Sequence, residues 1–315
     1  MGPAARRTLG RLAGALFVLW AVATLTFFAI HLVPGDPAQA ILGGPGSQAS
    51  QEALDRVRAD YGLDQPLIVQ YLAMLGRLAT GDLGESYALR TPVAQLIGGQ
   101  LVGTLVLALL SLVVAWVIAV GLALWSTGPG RLSRAVAQGV ELTAASLPQF
   151  WLATVLIAVF STGLGWLPAV STGGAAGLVL PVVTLAIPLA GFLAQLMREH
   201  LLIALEQPFA LSARARGESA AGIRLRHALR HAALPGINLS GWAVGYLISG
   251  AVVVETIFAR PGLGRTLLHA VESRDVPVVL GVVLLVALVY VVMTFVTDAL
   301  SRVADPRLRQ TEVDA

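Results

Sequence analysis

Apolar residues run in long uninterrupted blocks along this chain, and charge is confined to the segments between them. Five stretches carry no Asp, Glu, Lys or Arg: Leu12–Gly35, Thr91–Gly130, Leu142–Met197, Ala232–Val254 and Val276–Thr297. A helix needs about 20 apolar residues to cross the ~30 Å hydrocarbon core of a bilayer, so each stretch can span. The third, at 56 residues, is too long for one span, and Gly and Pro residues over Gly163–Gly177 divide it in two. Six transmembrane helices are therefore predicted, near Leu12–Val33, Leu101–Trp125, Leu142–Ser161, Leu178–Met197, Pro235–Phe258 and Pro277–Ala299. Continuous apolar runs, in place of ten-residue alternation, argue against a β-barrel. The expected fold is an all-α integral membrane protein, a single transmembrane domain over residues 1–315.

Between the first two spans, residues 34–97 are mixed in character. Gln51–Tyr61 has helical spacing with Leu54, Val57 and Tyr61 on one face, and a second short helix is expected over Val69–Leu78. Both would be amphipathic helices on the membrane's outer surface. The first span imitates a secretory signal, with Arg6, Arg7 and Arg11 ahead of it and Ala38-Gln39-Ala40 behind. Its apolar run exceeds a signal core and five more spans follow, so retention is expected.

Composition sharpens the class. Hydrophobic residues make up 56% and charged residues 12% of the chain, with a mean hydropathy of +0.78, more than a soluble core requires. There is no cysteine, which removes disulfides, thiol chemistry and Cys-ligated metal. All 21 basic residues are Arg. Placing residues 1–11, 127–135, 198–231 and 301–315 on one side gathers 14 Arg there against seven opposite, four of them in the long segment 34–97, where charge bias counts less. Both termini are therefore expected in the cytoplasm. Without Lys the chain cannot form a Walker A loop, whose lysine reaches the β- and γ-phosphates. If ATP drives this protein, another subunit binds it.

The main concentration of charge is Arg198–His231, set between late spans. A short helix is expected around Phe209–Arg216, with Gly217 permitting a sharp turn. A helix Ala220–Ala233 would return, placing Pro235 in the first turn of the fifth span, where proline is tolerated. Arg-rich loops also serve as topology determinants that touch anionic lipid. Elsewhere, Glu141, Glu255 and Asp298 lie at the margins of spans, read as structural or gating acids near hydrated interfaces. His31 is expected to cap the outer end of span one. Gly241 and Gly245 form a small-residue pair suited to helix packing; Trp242 and Tyr246 either pack or face a pathway. Ala259–Arg265, though Gly-rich, lacks a preceding strand and reads as a turn.

Several fragments in order carry a resemblance: His31–Pro37 (HLVPGDP), Tyr61–Tyr71 (YGLDQPLIVQY), Gly81–Tyr87 (GDLGESY), Ser146–Trp151 (SLPQFW), Leu164–Pro168 (LGWLP), Glu255–Arg265 (ETIFARPGLGR) and Asp305–Arg309 (DPRLR). Together they resemble, nearly end to end, permease subunits of bacterial ATP-binding-cassette importers of the dipeptide/oligopeptide/nickel type, and among those the first of two paired permeases. Ala213–Gly217 (ARARG) followed by Arg226–Pro235 (RHALRHAALP) is similar to the peptide-permease form of the family's cytoplasmic coupling motif. The general pattern has Glu-Ala-Ala where this chain has Leu211, Ser212 and Ala213.

The resemblance implies a type I importer permease fold and a non-catalytic channel subunit in the bacterial inner membrane. Phe209, Ser212, Ala213, Arg214, Ala215, Arg216 and Gly217 would contact an ATPase, with support from Arg226, His227, Arg230 and Pro235. Trp242, Tyr246 and Glu255 would line or gate the pathway. The implied partners are a second homologous permease, two ABC ATPases holding ATP and Mg, an external substrate-binding protein or lipoprotein, and membrane lipid. No nucleic acid, metal or cofactor of this chain's own is expected. The implied cargo is di- or oligopeptides or related small solutes. Alternatives are an ATP-independent secondary transporter or another polytopic membrane protein. A secondary transporter would want midplane ion sites and repeats, and only Pro181 and Pro188 hint at broken helices. An intramembrane protease would want G-x-S-x-G or H-E-x-x-H, both absent.

Overall fold

The computed structural model describes residues 3–32, 35–43, 48–171 and 174–304. Val33 and Pro34 of the first fragment, and all of Asp305–Arg309, lie outside them, as does most of the tail 301–315. In chain order the helices are α1 (Pro3–Leu32), α2 (Pro37–Ile41), α3 (Gln51–Asp60), α4 (Leu67–Ala79), α5 (Val93–Ser126), α6 (Arg131–Ser146), α7 (Gln149–Leu156), α8 (Ala176–Leu205), α9 (Pro208–Ala215), α10 (Ala220–Gly222), α11 (Leu229–Ile257), α12 (Leu263–Glu272) and α13 (Val276–Ala304). Wider π-helical turns extend α7 through Ile157–Gly163 and join α10 to α11 through Ile223–Ala228. Five of the resulting rods are long and apolar enough to cross a membrane, and a bent pair supplies a sixth span if counted as one.

The bent pair corrects the expectation for the third span. Leu142–Ser161 is not one rod: α6 and the α7 segment meet at 105°. Pro148 has no N–H to donate and disfavours helical geometry at the residue before it, and Leu147 is extended at φ −70° and ψ 124°. A second correction concerns Pro235. It does not open a span; it lies inside a continuous rod from Ala220 to Ile257. Proline inside a membrane helix is tolerated where neighbours re-satisfy the freed backbone groups.

The chain packs as two compact units, residues 1–103 with 261–291, and residues 104–260 with 292–315. In the first, Ala23 and Phe27 of α1 pack with Met74 of α4 and with Val276 and Leu280 of α13. Val93 and Ile97 pack with Leu263 and Ala270 of α12 and with Val278, Val279 and Val282. The turn expected over Ala259–Arg265 ends at Gly262; Leu263–Arg265 already belong to α12, which was not anticipated. A buried carboxylate pins the loop after α4: Asp275 accepts from Ser86 Oγ at 2.5 Å, the Tyr87 amide at 3.1 Å and the Ala88 amide at 3.2 Å. His31 Nδ1 donates back to the Phe27 carbonyl at 2.7 Å, one turn inside α1 and not to an end carbonyl as a cap would. α2 and α3 form their own small core of Ala38, Leu54 and Val57.

Beside that core Arg58 meets Asp36 at 2.5 Å. Burial works against ionisation of Asp36, yet the Arg58 hydrogen bond, the Ala38 amide and the Arg58 charge together hold its pKa below the ordinary value. A depressed folded-state pKa means the pair's stabilisation is complete above the unfolded value and fades as pH falls through the folded one. Acid titration of the folded chain should therefore release α2 from α3 only below the ordinary aspartate range, and Asp36→Asn should remove that transition. Tyrosine fluorescence from Tyr61 would follow it.

In the second unit α8 is the central rod. Gly191 lets α6 cross against it: a Cβ there would lie 2.4 Å from the Ala145 nitrogen and 2.7 Å from the Glu141 carbonyl. Gly236 likewise lies under the Trp116 ring, where a Cβ would sit 2.6 Å from the indole. Gly241 packs on Thr297, 2.8 Å from a built Cβ, as its small-residue spacing predicts.

Candidate functional site

The segment after α8 builds a compact exposed projection. Pro208 occupies the first turn of α9, where its missing N–H costs nothing, and Gln207 before it is extended. Ala210 and Ala213 are buried with Ile223 from the returning helix, flanked by Leu205 and Phe209. The Phe209 ring also stacks on His231, with centroids 4.9 Å apart. Small alanines at these positions let α9 lie close to the rod that follows.

The helix ends where Gly217 takes φ +82°. The Gly217 amide donates to the Arg214 carbonyl at 2.9 Å and the Glu218 amide to the Ala213 carbonyl at 3.1 Å. This paired closure is the Schellman arrangement, which needs a left-handed residue at that position. Ser219 then caps the next helix, its Oγ accepting from the Gly222 amide at 3.1 Å. Glu218 accepts from His227 at 2.9 Å. Arg224 donates to the Thr127 carbonyl at 2.8 Å, just past the end of α5. A cation is favourable at a helix C-terminus.

The outward face of α9 and its turn consists of Leu211, Ser212, Arg214, Ala215, Arg216 and Gly217, all exposed. Leu211 is 67% exposed, an apolar side chain three residues before Arg214. Of the residues read as support, His227 holds the turn through Glu218, whereas Arg226 and Arg230 are exposed. Arg224, not Arg226 or Arg230, anchors the return. Arg224, with Arg226 and Arg230, was expected from the sequence to anchor the return helix, whereas Glu218 and His231 were given no such role, their partners standing nine and 22 residues away along the chain.

Beneath this projection, Arg198 Nε donates to Glu141 Oε2 at 3.0 Å. Glu141 is fully buried, and its other oxygen has no hydrogen-bond partner. The expectation of a hydrated interface at Glu141 is thus corrected. Glu255 is also fully buried, accepting from Thr104 Oγ1 at 2.6 Å. The side chain of Asp298 lies outside the described residues.

A second cluster sits mid-span on α7, α8 and α11. Trp242 and Tyr246 stack with centroids 5.4 Å apart and planes at 23°, and Phe192 tilts against Trp242 at 5.4 Å. Gln149, the first residue of α7, donates its amide to the Tyr246 hydroxyl at 3.1 Å. Phe192 and Trp242 remain 43% and 42% exposed. Phe192 and Gln149 were not singled out in the sequence; the 105° break at Leu147–Pro148 is what brings Gln149 here.

A helical membrane scaffold with a rigid polar projection at one end of its rods and an aromatic–amide cluster half way along them defines a transport subunit. Comparison with known proteins makes the class specific: the chain belongs to the binding-protein-dependent transport system inner membrane components. Residues 118–310 match that family and residues 5–108 match its N-terminal counterpart. It is a multi-pass inner membrane protein. A peptide transport system permease of Brucella abortus (strain 2308) is 38% identical over 312 residues, covering 96% of this chain and 98% of the relative. The glutathione transport system permease of Escherichia coli (strain K12) is 36% identical over 306 residues, covering 95% and 97%. Among solved structures, a chain of the MetNI methionine ABC transporter in inward-facing conformations shares the fold. The TM-score is 0.54 at 22% identity, over 67% of this chain and 97% of that one.

Proposed function

We propose that this chain is one of two related membrane subunits forming the pathway of an ATP-driven importer for short peptides or peptide-like solutes. The observation that carries the reading is the closed turn at Gly217, which holds α9 as a rigid exposed knob on the Arg-rich side of the membrane. That side is the cytoplasm by the positive-inside rule, and both termini share it. Two ATPases, which bind ATP and Mg, take the exposed face of Phe209–Gly217, above all Leu211, Arg214 and Arg216. An external binding protein delivers solute on the opposite side. The relatives named for peptide and glutathione transport favour cargo carrying amide bonds.

Mass spectrometry of what co-purifies with the gently solubilised chain tests this directly. Recovery of a second permease and one or two P-loop ATPases is expected; a chain that transports alone in liposomes without ATP would overturn it. Reversing charge at Arg214 and Arg216 together should lower ATPase retention several-fold, since exposed ion pairs contribute about 0.2–1 kcal/mol each. Unchanged retention would assign those arginines to lipid.

In this reading Trp242 and Tyr246 face the pathway and Glu255 holds a gate closed through Thr104. Tryptophan and tyrosine usually sit at membrane interfaces, so a mid-span pair joined to an amide favours a polar lumen over lipid. Trp242→Ala should raise the KM of transport about three- to tenfold, the worth of one aromatic contact, with basal ATP hydrolysis unchanged. An unaltered KM would return Trp242 to a packing role.

A further inference from the structure

We infer that the first unit carries a built site for one amine-bearing phospholipid, with its head at the end of α1 and a chain lodged along α13. Nothing in this depends on what the protein transports.

Two cavities carry the argument. The first, about 280 Å³, is lined by Phe27 and His31, by Tyr61, Arg77, Asp82 and Tyr87, and by Val276 and Pro277 among others. Phe27 and His31 lie at the end of one span, Leu9–Leu32, and Val276 and Pro277 begin another, Val276–Thr297. The cavity therefore lies at headgroup depth. The second, about 610 Å³, is a groove whose lining is almost wholly apolar, including Leu16 and Trp20 of α1, Leu75 and Ala79 of α4, and Leu284 and Leu288 of α13. It runs along Leu16–Ala23 and Gly281–Leu288, eight residues on each rod or about 10 Å of helix. Leu78, Leu83 and Gly281 line both cavities. A cavity that mixes apolar side chains with His31, Arg77 and Asp82 thus adjoins an apolar slot along α1 and α13.

The helix that roofs them fits this depth. α4 buries Met74 and exposes Leu67, Ile68, Val69 and Leu72, the habit of a helix lying in the interface.

Charge selects the headgroup. Arg77 and Asp82 form no salt bridge with each other or with any described residue. Both converge on Gly84, which keeps φ +79°. Asp82 Oδ1 accepts the Gly84 amide at 2.8 Å, and Arg77 Nη1 lies 3.6 Å from where a Gly84 Cβ would be. One cation and one carboxylate held around a single glycine match a zwitterion: phosphate on Arg77, ammonium on Asp82. Tyr61 and Tyr87, with ring centroids 4.7 Å apart, add π-faces favourable to a cation. A primary ammonium donates hydrogen bonds to Asp82; a choline head cannot, and a glycerol head has no cation to offer. The structure therefore assigns the site to an ethanolamine-type phospholipid in the leaflet facing the 35–92 segment.

The test is native mass spectrometry of the full transporter released from nanodiscs holding phosphatidylethanolamine, phosphatidylcholine and phosphatidylglycerol in equal amounts. One retained phosphatidylethanolamine per copy of this chain is expected. Arg77→Ala and Asp82→Asn should each cut its retention about tenfold, the worth of a charge-assisted hydrogen bond, and Arg77→Lys should restore most of it. Ala79→Trp, which fills the groove, should remove it while leaving the head cavity intact. Equal retention of the three lipids, or retention indifferent to Arg77 and Asp82, would overturn the assignment. So would a photoreactive group placed at Leu75 that captures a protein subunit in place of lipid.

Discussion

Gly217→Val leaves the chain inserted and the ATPases hydrolysing, and lowers transport per ATP about tenfold or more. A Cβ at Gly217 meets nothing within 4 Å, so the whole effect is conformational. Left-handed geometry costs an ordinary residue about 1–2 kcal/mol, and branching at Cβ makes φ near +82° harder still. That is comparable to the 1.4 kcal/mol that shifts an equilibrium tenfold. The turn would open, the bonds to the Arg214 and Ala213 carbonyls would part, and α9 would lose its fixed attitude. A graded series isolates the cause: Gly217→Asn should transport nearly normally because asparagine visits this region, Gly217→Ala should fall between, and valine should be worst. Reconstituted transport and ATP hydrolysis, measured together, read it out. Full coupling in the valine variant would remove α9 from the transmission of force.

The second large effect is at Arg198. Arg198→Leu leaves the Glu141 carboxylate buried with one oxygen unpartnered and the other stripped of its donor. Removing one member of a buried ion pair typically costs about 3–5 kcal/mol, whereas replacing both by apolar groups is often neutral. The single variant should therefore lower the thermal midpoint of the solubilised complex sharply, and Glu141→Leu with Arg198→Leu should recover most of the loss. A double variant as unstable as the single one would show that the pair matters for shape, not charge. The crossing of α6 and α8 at Gly191 leaves little room to relax.

How much of this was legible beforehand divides by the range of the forces involved. The spans, α3 and α9 follow from local pattern, since apolar length and 3.6-residue spacing act within one element. Gly217 was legible for the same reason: a lone glycine after a short helix is a turn signal. The elbow at Leu147–Pro148 escaped notice because charge-free length conceals a break that one proline makes. The rod through Pro235 was cut short because the rule for isolated helices ignores neighbours that stabilise a proline from outside. Partners such as Arg198–Glu141, Thr104–Glu255 and Ser86–Asp275 stand 57, 151 and 189 residues apart, and no local pattern encodes such meetings. Trp242 and Tyr246 could be noticed in the sequence, but their companions Phe192 and Gln149 needed the fold.

The uninterrupted rod from Ala220 to Ile257 has a mechanical consequence. At 1.5 Å per residue its 38 residues make a beam about 57 Å long. A tilt of about 5° at the Ala220 end carries the Ile257 end sideways by about 5 Å, the pitch of one helical turn. Trp242, Tyr246 and Glu255 are all fixed to that beam, so the two stacked rings and the buried acid swing as one body, in proportion to their distance from the pivot, while Phe192 and Gln149 stand on other helices. Only the wide turns at Ile223–Ala228 and the proline at 235 offer places for it to flex.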